Sequence, residues 1–158
     1  MSIHDFVLSA TVHDQGESAR LRNLYVDAFV DVTSDFYKRN IGSLKQFSDG
    51  LFYEGYLWDC LKNAQVIQCN ELCSSLRRNI RRTMVMWDLH SQKKIPVPNY
   101  WLFERDRIIE VTSDVLVDNV GYLPEDIYIF DEGMTWTLVT THEHAANGER
   151  ICIRAERT

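Results

Sequence analysis

IYIFDEGMTWTLVTTHEHAANGERICIRA, residues 127–155, is the stretch from which the fold is read. It holds three runs rich in β-branched and aromatic residues, Ile127 to Phe130, Trp136 to Thr141 and Arg150 to Ala155, separated by Asp131-Glu132-Gly133 and Asn147-Gly148. Such runs favour the pleated, half-buried surface of a sheet. Asn and Gly tolerate the positive φ that tight hairpins need. The stretch therefore predicts a three-stranded antiparallel meander.

Upstream of it the texture stays strand-like back to residue 83. Thr83 to Leu89, Val97 to Phe103 and Arg107 to Val111 read as further strands. Pro96 and Pro98 cannot donate to a ladder, which places their segment at a sheet edge or in an irregular connection. Residues 112–120 fit either a short helix or a loop.

Before residue 83 the apolar period changes to three and four. Leu21, Leu24, Tyr25, Ala28, Phe29 and Val32 form one stripe of an amphipathic helix that starts at Glu17 and runs toward Tyr37, ended by Asn40 and Gly42. A second helix is expected from Phe52 to Lys62, closed by Asn63, and a third from Asn70 to Arg78 with Asn70 as its N-cap. The first dozen residues alternate loosely through Phe6, Leu8, Ala10 and Val12, which suits a short strand or extended arm. Without repeats or linkers, the chain reads as a single α+β domain, 1–158, whose helix-rich N-terminal half packs on a mostly antiparallel sheet from the C-terminal half.

Composition narrows the function classes. With 45% hydrophobic and 25% charged residues the chain can bury a core unaided. A formal net charge of -6 leaves no basic stripe for phosphates, so no nucleic-acid partner is expected. The one basic cluster, Arg77, Arg78, Arg81 and Arg82, fits the cationic end of a helix, with an anion site as its alternative. No cationic region followed by an apolar run opens the sequence, and no stretch approaches the ~18 apolar residues of a membrane span. A cytoplasmic protein without membrane partner is the expectation, and Cys60, Cys69, Cys73 and Cys152 are then read as buried reduced thiols.

No pattern reaches a catalytic signature. The glycines form neither a dinucleotide fingerprint nor a phosphate loop, and no cofactor is expected. Cys60, Cys69, Cys73 and Ser91, with His90 or His142 as bases, lie on no nucleophile elbow. The densest polar cluster is His142-Glu143-His144. On a strand the two histidines share a face and could ligate a metal, with His90 as third ligand and Glu143 as base of a hydrolase. The alternative is a solvated strand end. Asp88, Asp131, Glu132 and Glu143 fall at strand ends, where they form either an acid and base pair or an acidic rim.

Asp126-Ile127-Tyr128-Ile129-Phe130-Asp131, followed by Trp136-Thr137 and Thr141-His142-Glu143, resembles the C-terminal part of small bacterial α+β families of immunity-protein type. The resemblance covers about the last fifth of the chain. It implies a protein that neutralises one toxin partner by binding, without cofactor or metal. Gly55-Tyr56-Leu57-Trp58-Asp59 and Trp87-Asp88-Leu89-His90-Ser91 also look like motif cores, with no activity attached. The expected partner surface is the rim of Asp88, His90, Asp131, Glu132, Trp136, His142, Glu143 and His144, where an aromatic anchor meets acidic groups.

Overall fold

Seven strands, every adjacent pair antiparallel, form one sheet in the order β1-β6-β5-β7-β8-β9-β4 in this computed structural model, which describes residues 1–42, 46–47, 50–51, 55–88 and 102–157. Five strands come from the second half: β5 Arg82–Trp87, β6 Ile109–Thr112, β7 Ile127–Phe130, β8 Trp136–His144 and β9 Arg150–Glu156. The edges are supplied by the first half, as β1 Thr11–Val12 and β4 Gln65–Gln68. A separate two-stranded ribbon joins β2 Gln46–Phe47 to β3 Gly50–Leu51. The meander read from the sequence is the β7-β8-β9 run, with Ile127 opposite Thr140 and Thr140 opposite Cys152. The chain is an α+β fold.

Both faces of the sheet are covered. One carries Met84, Met86, Tyr128, Phe130, Val139 and Ile153 against Leu21, Tyr25 and Phe29 of α2, Gln15–Phe29. The other carries Val85, Trp87, Ile127, Ile129, Leu138 and Cys152 against Phe6 of α1 (Ile3–Ser9), Leu72 and Leu76 of α4 (Cys69–Arg78) and Leu116 of α5 (Ser113–Asn119). Alternate residues on a strand point to opposite faces, so a central strand buried on both reads as an unbroken apolar run. β7, Ile-Tyr-Ile-Phe, has all four residues buried for that reason.

Several helices differ from expectation. The N-terminal residues are helical: Ser2 Oγ accepts from the Asp5 N–H at 3.2 Å and Asp5 Oδ2 accepts from the Ser2 N–H at 3.3 Å, a reciprocal cap that outweighs the loose alternation. Of the alternating set Phe6 alone is fully buried, while Leu8 is 70% exposed. α2 is capped by Asp14, whose Oδ1 accepts from the Glu17 N–H at 2.8 Å, and it stops at Phe29. Beyond it, Val30 is drawn into a bridge with Leu61, and a three-residue α3, Asp35–Tyr37, follows under a Ser34 cap. The helix expected from Phe52 to Lys62 is a 3₁₀ turn, Leu57–Cys60, and residues 52–54 of that expected helix lie outside the described part. α4 begins one residue before Asn70, so Gln68 rather than Asn70 is its N-cap. Residues 113–119 are α5. The run from Val97 to Trp101, with Pro98, and the segment holding Pro96 lie outside the described residues.

The cysteines are the main correction. Cys69 and Cys152 form a disulfide, with Cα atoms 5.5 Å apart and a sequence separation of 83; Cys60 and Cys73 remain thiols. Pairing of β4 with β9 sets Ile67 opposite Cys152, and Cys69, two residues on, falls within bonding reach. Sequence spacing carries no trace of that register.

Candidate functional site

The antiparallel pairing sorts the expected rim into two ends. β5 ends at Trp87 opposite Ile127, the first residue of β7, so Asp88 and Asp126 lie at one end of the sheet. β8 runs from Trp136, beside the Asp131 turn, to His142, Glu143 and His144 at the Asp126 end. Six residues of strand, about 20 Å, separate Trp136 from His142. Asp88, His142, Glu143 and His144 are therefore gathered at one end, and Asp131, Glu132 and Trp136 at the other. His90 lies outside the described residues.

Asp131 closes the β7-β8 turn. Its Oδ1 accepts from the Thr135 N–H at 2.7 Å and the Trp136 N–H at 3.1 Å, and its Oδ2 from the Thr135 hydroxyl at 2.8 Å. Met134 takes the left-handed conformation of that turn, φ 52°, in place of the expected Gly133. Glu132 is exposed beside it.

Asp88 is buried, not part of a rim. Its Oδ2 accepts from the Tyr128 hydroxyl at 2.5 Å and its Oδ1 from the Leu57 N–H at 3.3 Å. Arg22, buried on the inner face of α2, donates to the Trp87 carbonyl at 3.2 Å and adds its positive charge nearby. Burial pushes the Asp88 carboxyl up to about 7, against the lowering effect of the Tyr128 and Leu57 hydrogen bonds and of Arg22. The Tyr128 oxygen in turn accepts from the Trp58 N–H at 3.1 Å. This network pins the 3₁₀ turn Leu57–Cys60 onto the sheet end.

That turn brings Tyr56 and Trp58 to His142. The Tyr56 and Trp58 rings stack with centroids 5.3 Å apart, and the His142 ring sits 5.0 Å from Tyr56 and 6.2 Å from Trp58. Gly55 lets the chain pass close to Phe36, since a Cβ there would come within 2.6 Å of the ring and push it aside. Asp126 holds the imidazole: His142 Nδ1 lies 2.9 and 3.0 Å from its two oxygens, and the His142 N–H donates to it at 3.0 Å. A carboxylate at that distance requires Nδ1 to carry the proton, which leaves Nε2 as the nitrogen open to other chemistry. Partial burial lowers the His142 pKa, but the Asp126 hydrogen bond and charge, with Glu143 and Glu125, outweigh it and raise the pKa above the ordinary 6.5.

Carboxylates surround the three rings. Asp59 accepts from the Tyr56 N–H at 3.2 Å, and burial, reinforced by the Glu143 and Asp126 charges, raises its pKa despite that bond and the nearby His142. Tyr56 is pushed up to about 12 by burial and by Asp126, Asp88, Asp59 and Glu143. An imidazole and two aromatic rings set among negative groups have the chemistry that attracts a cation. Ring faces attract ammonium and guanidinium groups, and carboxylates pair with them. Among the described residues no three His, Cys, Asp or Glu side chains form a metal-holding group. No described helix is long and apolar enough to cross a membrane.

Tyr56, Trp58, Asp59 and Asp126 were absent from the expected rim. Gly55-Tyr56-Leu57-Trp58-Asp59 does stand out in the sequence as an aromatic and acidic knot, but nothing local says that it meets His142, more than 80 residues away. Comparison with known protein families, with curated protein sequences and with solved structures gave no match.

Proposed function

We propose that this chain is a non-enzymatic protein-binding domain of bacterial immunity-protein type, which neutralises a toxin by covering a basic part of its active site or substrate groove. The observation that supports the reading is the cluster of Tyr56, Trp58 and His142 set among Asp59, Asp126 and Glu143 at one end of the sheet. A lysine or arginine of the partner would lie against the rings and pair with the carboxylates, while the acidic balance of the whole chain, -6, steers a basic partner toward it. We place the protein in the cytoplasm, although the Cys69–Cys152 disulfide is of a kind more usual in oxidising compartments.

Capture from the host lysate with this chain as bait identifies the partner, and the purified pair then gives an affinity. Tyr56→Ala, and Asp59→Lys combined with Glu143→Lys, should each weaken binding at least about tenfold, the scale of one lost anchor or charge pair. Glu132→Lys, at the opposite end, should leave it unchanged, and the partner should be toxic when expressed alone. Unchanged affinity in both variants, with circular dichroism showing them folded, would refute the surface. A harmless partner would refute the immunity role.

A further inference from the structure

The opposite end of the sheet has the reverse chemistry. Trp136, expected in an acidic rim, instead lies beneath the Arg81 guanidinium, whose carbon is 4.4 Å from the ring centroid. Around this pair opens a cleft of about 350 Å³ lined by Asn79, Arg81, Trp136, Leu138, Arg154 and Glu156, among others. Cross-strand pairing of β8 with β9 builds its floor, because Trp136 faces Glu156 and Leu138 faces Arg154. The end of α4 supplies the wall.

The charges in the cleft do not cancel. Arg154 donates to Glu156 at 2.5 Å, which accounts for one cation and one anion. Arg77 and Arg82 of the same basic run are held by Asp118 and Glu110. Arg81 has no carboxylate among the described residues; it is held over the indole by its ring contact, and its backbone N–H donates to Ser113 Oγ at 3.2 Å. A guanidinium fixed on an aromatic face presents an unspent fork of N–H donors. The Trp136 indole N–H is also buried without an acceptor among the described residues. One net positive charge, the Asn79 amide and the partly exposed edge of Trp136 have the chemistry to take a single small carboxylate. The volume suits a small organic molecule.

We propose that this cleft binds a small monocarboxylate, with Arg81 as the carboxylate clamp. The site is distinct from the aromatic and acidic end, and its failure would leave that reading untouched. Benzoate is the probe and benzamide its uncharged counterpart, titrated into ¹⁵N-labelled protein while the Trp136 indole signal, assigned with Trp136→Phe, is followed. Benzoate should shift that signal saturably with a Kd of about 1 mM or tighter. Arg81→Gln should weaken binding at least about tenfold, and the fold should survive because Arg81 is exposed; Arg77→Gln should leave it unchanged. A shift that stays linear in benzoate, equal affinity for benzamide, or full affinity in Arg81→Gln would each overturn the proposal.

Discussion

Replacing Asp88 by asparagine should make the protein progressively more stable than the wild type as pH rises across the physiological range. The Asp88 carboxyl titrates at about 7 in the folded protein, raised by burial, and near 3.8 when unfolded. The sign follows from proton counting. Above pH 3.8 the unfolded chain releases this proton freely while the folded chain keeps it, so folding takes up a proton and stability falls as pH rises. The loss accumulates between about pH 4 and 7 and reaches about 4 kcal/mol at pH 8. The asparagine side chain cannot ionise and escapes this loss. Its C=O accepts from the Leu57 N–H and its NH2 donates where the protonated carboxyl donates its O–H, so the two proteins differ little below about pH 4. Asp88→Asn should therefore match the wild type to within about 1 kcal/mol at about pH 4 and be the more stable protein, by about 3 kcal/mol or more, at about pH 8. Urea unfolding of both proteins at half-unit intervals measures the difference, from which groups titrating alike in the two cancel. A difference flat to within about 0.5 kcal/mol over that range would refute the assignment of a buried, proton-holding carboxyl.

Other perturbations test the remaining parts of the structure. NMR titration should place His142 above 6.5, and Asp126→Asn should lower it; the stabilisation from its charged form is present below 6.5 and lost as pH rises through the raised folded value. A His142 value at or below 6.5 in the wild type would contradict the Asp126 contact. Thiol titration of oxidised protein in denaturant should find two reactive cysteines, Cys60 and Cys73, and dithiothreitol should lower stability by about 4 kcal/mol for a bridge with a sequence separation of 83. Four thiols and no effect of reductant would remove the disulfide. Asp131→Ala should cost about 1–2 kcal/mol in urea unfolding through the lost turn bonds to Thr135 and Trp136, while leaving partner affinity unchanged. A weakened partner would return Asp131 to the binding surface.

The sequence by itself determined the meander, the amphipathic stripe of α2 and the fold class, because each rests on local periodicity and on turn residues that act within a few positions. Leu21, Tyr25 and Phe29 had to share a helix face, and Asn147-Gly148 had to turn the chain, whatever surrounded them. Local signals also misled where a neighbour outweighed them: the Ser2 and Asp5 cap made a helix of an alternating segment, and the bridge from Val30 to Leu61 ended α2 early. The site was legible in residue types alone. That His142 meets Tyr56, that Asp126 holds its ring, that Asp88 is buried against Tyr128, that Trp136 lies under Arg81 and that Cys69 bonds Cys152 are all products of strand order and register. Only the tertiary structure decided them, because a contact between distant residues is fixed by which strands pair and by the two-residue repeat that sends each side chain to one face, and neither is written in any local stretch of the chain.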